Sequence, residues 1–200
     1  MKINKTNLLV KLVLLGTLTI ISSCKKEMSN HNILLQEWQG PYGGVPAFDK
    51  MDVKDIQAAV EKGMELNLSE IEAIANSSEE PTFENTIEEM ERSGSDLGRV
   101  FAYYGIMSSN VSTPEFREIQ SNLAPKLSVF SSTISQNKAL FTKIKTVYNA
   151  SLITPLEDDK QRVTALTYNS FAMKGAELDS EKKLRYAAID KELSTLYNTF

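Results

Sequence analysis

Residues 80–94 read EPTFENTIEEMERSG, and this stretch carries the start signal, the apolar stripe and the stop signal of a helix. Thr82 stands where a helix N-cap is expected, and Asn85 lies three residues later, within reach of the backbone at Thr82. The apolar residues recur at a spacing of four and then three, which places them on one helix face: Phe83, Ile87 and Met90. The stretch therefore predicts a helix from Thr82 to about Ser93.

Five glutamates in the same stretch raise the question of a catalytic or metal-binding carboxylate cluster. The helix itself offers another explanation for these polar residues. Glu84 lies in the first turn, where the helix dipole favours an acid, and Glu88 precedes Arg92 by four residues, as in a surface ion pair. Gly94 stands where a left-handed cap ends a helix. We therefore interpret the stretch as a solvated acidic helix face.

Helical spacing continues over most of the chain after Asp52, which is the predicted cap of a helix that runs to about Asn76, with Gly63 as its weakest point. Another helix is predicted over residues 95–109. Further start signals come later in the chain: Thr113-Pro114, Asn137, Thr154-Pro155 and Asp179. Pro125 should bend the helix that contains it, and Gly175 should end another. Because alternation of period two never exceeds a few residues, the predicted fold class is all-α.

The apolar residues of four predicted helices fall on one side of each helix, and those of the last helix do so at spacings of four, three and four. They are Ile56, Val60, Met64, Ile71 and Ala75; Leu97, Phe101, Tyr104 and Met107; Leu140, Phe141, Ile144 and Tyr148; and Ile189, Leu193, Leu196 and Phe200. Each set predicts one apolar helix face.

Residues 1–23 have the pattern of a signal segment. Lysines precede an apolar run at residues 12–21, which is about half the roughly 20 residues that span a bilayer. The run ends in ISSC at 21–24, which resembles the lipobox of bacterial lipoproteins. We therefore predict that Cys24, the only cysteine, carries a lipid that anchors an exported protein to a bacterial membrane, on its periplasmic or outer surface. An uncleaved anchor helix and a chance apolar run with a buried cysteine are the alternatives.

The next two segments lack a helical pattern. Residues 24–36 are mostly polar and are predicted to form a tether. Residues 37–50, EWQGPYGGVPAFDK, contain three glycines and two prolines, which disfavour a regular helix and predict an extended strap on the domain surface. A Gly-rich phosphate loop is the alternative, but no lysine-hydroxyl pair follows. Residues 51–200 form the predicted helical region.

The charge and the histidine content of the chain argue against several classes of function. The net charge is −4 and no lysine or arginine cluster is free of acids, which argues against a nucleic-acid partner. His31 is the only histidine, so the H-E-x-x-H zinc motif is absent and a Ser or Cys nucleophile lacks an imidazole base. Asp158 and Asp159 are adjacent and diverge by about 100° on a helix, which makes them poor joint metal ligands. We predict no catalytic and no metal-binding residue in positions 1–200.

Several segments resemble one family of peptidases. PTFENTIEEMERSG at 81–94 is similar to a segment typical of the family that includes thimet oligopeptidase, oligopeptidase A and bacterial peptidyl-dipeptidase. Further segments agree in order and spacing: EIEAIAN at 70–76, NLAPKLSVFSSTISQNKALFTKIKTVY at 122–148, and GAELDSEKKLRYAAIDKELSTLYNTF at 175–200. The last two look like the peptidyl-dipeptidase branch in particular. The resemblance covers about residues 38–200, with a small departure at 45–48, where VPAF stands for the family's usual Pro-Pro-Phe.

The resemblance implies a nearly all-helical zinc metallopeptidase of several hundred residues, which cuts short peptides in a channel between two helical halves. It also implies that the zinc motif and its glutamate base lie far toward the C-terminus, so this chain corresponds to the N-terminal channel wall. No family catalytic or metal residue has a counterpart here. We therefore expect the 200-residue chain to be a monomer that binds no zinc and is inactive by itself.

The last predicted helix stops at Phe200 within its apolar stripe, without a glycine, proline or polar run to close it. A frayed natural end is one explanation, and truncation before the catalytic domain is the one we predict. The alternative function is a stand-alone, lipid-anchored helical module that binds peptides without catalysis. A truncated piece should expose apolar surface on its last helix, whereas a stand-alone module should fold cooperatively.

Overall fold

The computed structural model describes residues 32–41 and 44–197, and their fold is all-α, as predicted. A 3₁₀ turn at Ile33–Leu35 precedes seven helices in these ranges: α1 (Asp55–Asn76), α2 (a π-helical segment Phe83–Glu88 continued by Glu89–Arg92), α3 (Ser95–Asn110), α4 (Pro114–Ser135), α5 (Lys138–Ile153), α6 (Asp158–Met173) and α7 (Ser180–Tyr197). None of these described helices is long and apolar enough to cross a bilayer. The predicted signal segment 1–23 and lipid-attachment residue Cys24 lie outside the described residues.

Three predicted helix caps are confirmed. Thr113, Asn137 and Asp179 each accept a hydrogen bond from the backbone N–H three residues later, at 3.1, 3.0 and 2.8 Å. Gly175 has a φ of 82° and follows the end of α6, as predicted. Helix α4 runs on through Pro125 to its end, and the bend at that residue stays a prediction.

Two predicted helix starts are wrong. The carboxylate of Asp52 accepts from the Lys54 N–H at 3.0 Å, so it organises a turn before α1, which begins at Asp55. Thr154 closes α5 by donating its N–H to the carbonyl of Ala150 at 2.9 Å. Because a residue before proline is pushed toward extended backbone, the chain then runs extended and α6 begins only at Asp158.

Gly63 is a contact point between helices, and α1 is unbroken at this residue. A Cβ atom at Gly63 would lie 3.0 Å from Cα of Leu97 in α3. Real Cβ atoms rarely approach that closely, so the missing side chain lets the two helix backbones meet. The prediction of a weak point missed this packing role.

The core consists of two clusters, and α1 contributes to both. The first cluster joins α1, α3 and α4 around Leu34, Ile56, Ala59, Val60, Met64, Leu97, Val100, Tyr103, Met107, Phe116, Ile119 and Leu123. The second cluster joins α1, α2, α5 and α6 around Ile71, Ile74, Ala75, Ile87, Leu140, Phe141, Ile144, Val147 and Phe171. The predicted stripes of α1, α3 and α5 supply about half of the buried residues of the two clusters, and Phe101, Tyr104 and Tyr148 of those stripes are not among them.

The packed part of the chain begins earlier than the predicted tether boundary at residue 36. Leu34 is fully buried in the first cluster, and Asn32 caps the 3₁₀ turn by accepting from the Leu34 N–H at 3.0 Å. Arg99 of α3 donates to the carbonyl of Leu35 at 3.3 Å. Residues 32–36 therefore belong to the folded domain because their apolar side chains have a core to enter, which a count of polar residues does not reveal.

Candidate functional site

Helix α2 begins with the reciprocal hydrogen bonds that the sequence predicts. The Asn85 N–H donates to Oγ1 of Thr82 at 3.2 Å, and the Thr82 N–H donates to Oδ1 of Asn85 at 2.8 Å. Ile87 is fully buried in the second cluster, and Gly94 has the predicted left-handed φ of 74°. The π-helical start was not foreseen, because the cap and the apolar spacing fit an α-helix equally well. The segment is thus a well-capped helix that fixes where its carboxylates lie.

Two glutamates of this segment, Glu84 and Glu88, form separate surface pairs. Lys160 of α6 donates to Glu84 at 3.1 Å and lies 5.1 Å from the centre of the Phe83 ring. Hydrogen bonding from backbone N–H at the helix start, and secondly from Lys160, holds the pKa of Glu84 below its usual range. Glu88 pairs with Arg92, as predicted. The carboxylate of Glu84 therefore remains ionised at neutral pH, so it can pair with Lys160 across α2 and α6 but is a poor general acid.

A zinc site does not fit the described residues. In the ranges 32–41 and 44–197 there is no group of three or more His, Cys, Asp or Glu side chains close enough to hold a metal ion. Asp158 and Asp159 are exposed, and Asp159 accepts the N–H of Lys160 at 2.8 Å. His31 and Cys24, the only histidine and the only cysteine, lie outside these ranges. No catalytic step through a metal can be derived from this part of the chain.

The strap packs on the first cluster through Tyr103, which is fully buried. The hydroxyl of Tyr103 accepts the N–H of Ala47 at 2.8 Å, and the Tyr103 ring meets those of Trp38 and Phe48 edge-on at 6.5 and 5.1 Å. Beside these residues lies a cavity of about 280 Å³. Among the described residues Nε1 of Trp38 has no hydrogen-bond partner although it is shielded from solvent. The cavity is lined by residues of the 3₁₀ turn and the strap together with Tyr103.

The importance of Tyr103 was missed in the sequence. The predicted stripe of α3 placed the neighbouring Tyr104 in the core, and Tyr104 is only partly buried. The sequence signal that could have pointed to Tyr103 lies in the strap, because Trp38 and Phe48 of the strap need aromatic or apolar partners on the helices. Helical spacing within α3 does not report contacts made by a segment that lies far away in sequence.

A polar network joins α5, α6 and the turn before α7. The carboxylate of Glu177 accepts from Nζ of Lys145 at 2.6 Å and from the hydroxyl of Tyr168 at 2.8 Å. Lys145, followed by Tyr168, lowers the pKa of Glu177, and Glu177 in turn raises the pKa values of both partners. Tyr168 also stacks on Tyr148, with ring centres 4.0 Å apart. This network ties the turn before α7 to α5 and α6.

Beside that turn lies an open groove of about 550 Å³, which we call the lysine groove. Its lining comes from the end of α4, the turn after α6 and the start of α7: Ser132, Gln136, Lys174, Gly175, Ser180, Lys183, Leu184 and Tyr186. Leu184 is 74% exposed and Tyr186 is 40% exposed. The groove can therefore offer apolar contact and positive charge at one place.

Comparisons with known proteins match most of the chain. It matches the family described as Neurolysin/Thimet oligopeptidase, N-terminal domain, over residues 56–183. The dipeptidyl carboxypeptidase of Salmonella typhimurium is 30% identical over 169 residues, which are 84% of this chain and 25% of that protein. The Escherichia coli dipeptidyl carboxypeptidase is 27% identical over 86% of this chain and 25% of its own length. Oligopeptidase A of Escherichia coli is 24% identical over 78% of this chain and 23% of its own. The chain spans about a quarter of the length of these relatives.

Proposed function

We propose that this chain forms the N-terminal channel wall of a zinc-dependent peptidase of the peptidyl-dipeptidase type. The premise is that the chain belongs to the neurolysin/thimet oligopeptidase family and matches its N-terminal domain. The extent of the match carries the proposal, because it runs from the first turn of α1 to the first turn of α7. The relatives named above are carboxypeptidases and oligopeptidases. Short peptides are the proposed substrates.

In this proposal the described helices supply shape and contacts, and catalytic groups come from elsewhere. The exposed apolar residues farther along α7 support such a role, since Ile189 and Leu193 are 40 and 45% exposed. Apolar surface of this kind is common where a protein meets further polypeptide or a ligand. A channel wall that also packs against another lobe of the peptidase would bury such apolar residues in that contact.

In this proposal zinc is bound by other parts of the peptidase and not by the residues described here. The donor groups within ranges 32–41 and 44–197 do not fit the ion. Such a site takes three protein ligands and leaves a position open for water or substrate. We therefore assign none of these side chains a role in holding the metal.

The lipid anchor at Cys24 is part of the same proposal, together with export to a bacterial membrane surface. The order of lysines, apolar run and ISSC in residues 1–24 supports it. Replacing Cys24 by Ser should move the protein from the membrane fraction to the soluble fraction. The proposed anchor is wrong if the Cys24→Ser protein stays on the membrane as firmly as the unchanged protein.

The peptidase proposal is tested by comparing two products of the same gene. One is the protein read from its native frame to its natural stop, and the other is the chain of 200 residues. Each is incubated with N-blocked tetrapeptides, with and without a zinc chelator, and products are identified by mass. The native product should release C-terminal dipeptides until the chelator is added, and the 200-residue chain should release none. Chelator-sensitive cleavage by the 200-residue chain would overturn the division of labour proposed here.

The alternative is a stand-alone helical module that binds peptides without cleaving them. It is favoured if the native frame stops at codon 200 and the chain unfolds in one transition as a monomer. The channel-wall proposal expects an apolar-surface dye to bind the 200-residue chain strongly and to be displaced when the remaining polypeptide is present. Dye binding and the length of the native reading frame together distinguish the channel-wall proposal from the stand-alone module.

A further inference from the structure

The lysine groove has an apolar floor that the described residues leave open. Leu184 is 74% exposed and Tyr186 is 40% exposed, and both lie on the first half of α7. Ile189 and Leu193 extend the exposed apolar surface farther along the helix. Single exposed leucines are ordinary, but apolar residues grouped along a groove indicate a binding surface.

The lysines around this groove are of two kinds. Lys145 is paired with Glu177 at 2.6 Å and Lys182 with Asp179 at 2.8 Å, both outside the groove lining. Lys174 and Lys183 line the groove, and no described carboxylate pairs with either. The whole chain has a net charge of −4. Two lysines that no described carboxylate pairs with line the same groove as Leu184 and Tyr186, in an acidic protein, which indicates complementarity to an acidic partner.

The groove is also held in shape without a partner. The side-chain amide of Gln136 donates to the carbonyl of Lys174 at 2.9 Å, which ties the end of α4 to the turn after α6. Asp179 accepts the Lys182 N–H at 2.8 Å, so the first turn of α7 already has its cap. The attraction for an anion thus comes from the two lysine side chains. A surface fixed before binding loses little conformational entropy when it is occupied.

We propose that the lysine groove docks an acidic amphipathic polypeptide segment, with apolar side chains on Leu184 and Tyr186 and carboxylates facing Lys174 and Lys183. The volume of about 550 Å³ lies in the range of sites that bury a few side chains. Nucleic acid is a poorer fit, because its phosphates need a broad basic surface and the floor here is apolar. The inference goes beyond the proposed function, since it requires neither zinc nor peptide cleavage.

Two labelled peptides of 12 residues test the proposal. Both carry Leu and Phe at spacings of three and four, and they differ only in having glutamates or lysines at the remaining positions. Binding to the 200-residue chain is measured by fluorescence anisotropy at low and at high salt. The acidic peptide should bind about tenfold tighter than the basic one at low salt, and the difference should shrink as salt screens the charges.

Charge reversal supplies the decisive variant. Lys174→Glu with Lys183→Glu changes two groove lysines and should reverse the preference, so that the basic peptide binds tighter. Lys50→Glu with Lys54→Glu is the matched control on exposed positions outside the groove, and it should leave the preference in place. Leu184→Ser should weaken both peptides severalfold without unfolding the domain, because that side chain is already 74% exposed.

Three results would overturn the proposal. One is equal binding of the acidic and basic peptides to the unchanged chain, and another is a charge-reversed variant that keeps the original preference. The third is a dimer in sedimentation that Leu184→Ser dissociates, because a second copy of the chain would then be the occupant. Failure of the peptidase assay leaves all three measurements unaffected, so the two proposals fail separately.

Discussion

The two clusters of the core differ in how their outer sides are closed. The first is covered by the strap, where the hydroxyl of Tyr103 holds the Ala47 N–H and its ring meets Trp38 and Phe48. The second is bordered by the turn into α7, where Leu184 remains mostly exposed. The strap thus covers one end, and α7, with its exposed apolar residues, follows the other. The comparison suggests that binding is concentrated at the α7 side.

Helix α1 connects the two clusters. Ile56 and Val60 from its first half lie in the first cluster, and Ile71 and Ile74 from its second half lie in the second. A helix forms cooperatively, so loss of one half of α1 removes support from the other. The two clusters should therefore unfold together despite their different covers.

The largest expected effect comes from truncating one buried isoleucine in each cluster. Ile56→Ala and Ile144→Ala both act on fully buried side chains, and each should destabilise the domain by about 2–5 kcal/mol. Trp38, the only tryptophan, packs on the first cluster and reports its unfolding by fluorescence, whereas circular dichroism reports all helices. Ile144→Ala should shift the denaturant midpoint of both signals equally.

Val129→Ala is the control for that experiment, because Val129 is 66% exposed and its truncation should change the midpoint little. A Trp38 transition that stays in place while circular dichroism becomes biphasic in Ile144→Ala would contradict the coupling through α1. The clusters would then be separate folding units joined by a helix.

The next effect concerns the contact at Gly63. Gly63→Leu places a side chain against the backbone of Leu97 and should destabilise the domain by about 1–3 kcal/mol, because α1 and α3 must move apart. Gly105→Ala is the matched control in α3, where a Cβ meets nothing within 4 Å. It should instead stabilise by up to about 1 kcal/mol, since alanine favours a helix more than glycine does. Chemical denaturation measures both, and a neutral Gly63→Leu would show that the contact is not tight.

The elements of the fold were largely predictable from the sequence because their signals are local. Thr82, Thr113, Asn137 and Asp179 cap helices with their own side chains, and the capping bonds span three residues. The start at Thr154-Pro155 was wrong because the same pair of residues also suits an extended exit from α5. A cap signal does not say whether a helix begins there or has just ended.

The candidate site was less predictable because it depends on distant contacts. The lysine groove joins Gln136 to Lys174, which are far apart in sequence, through a side-chain bond to a carbonyl. Glu177 and Lys145 form a pair across two elements for the same reason. Helical spacing predicts which face of a helix is apolar, but it does not predict which helix will cover that face. The exposed apolar residues of α7 were expected only on the premise of a truncated chain. That two of them would line one groove together with two lysines was not predicted.

The smallest expected effect is the pH dependence of the stability that the Glu177 network contributes. This network joins α5 and α6 to the turn before α7. The folded pKa of Glu177 lies below its unfolded value of about 4.3, so its contribution is complete above that pH and is lost as the pH falls through the folded pKa. The folded pKa values of Lys145 and Tyr168 are raised, so their contributions are complete below their unfolded values near 10 and are lost as the pH rises through the folded ones. The contribution of this network to stability should therefore be level between about pH 5 and 9.5 and fall at both ends.

Glu177→Gln tests that network by removing the charge while keeping the shape of the side chain. It should lower the melting temperature by about 1 °C at pH 7, as expected for a pair near the surface, and should flatten both ends of the pH profile. Glu72→Gln, an exposed glutamate of α1, is the control and should change neither. If Glu177→Gln keeps the full pH dependence of the unchanged chain, the direction of α7 is set by the close packing around Gly175, where an added Cβ would lie 3.1 Å from Cδ1 of Leu178 and 3.7 Å from the Tyr186 ring. The open face of α7 would then be oriented by packing, and the lysine groove should keep its shape and its preference for acidic peptides in that variant.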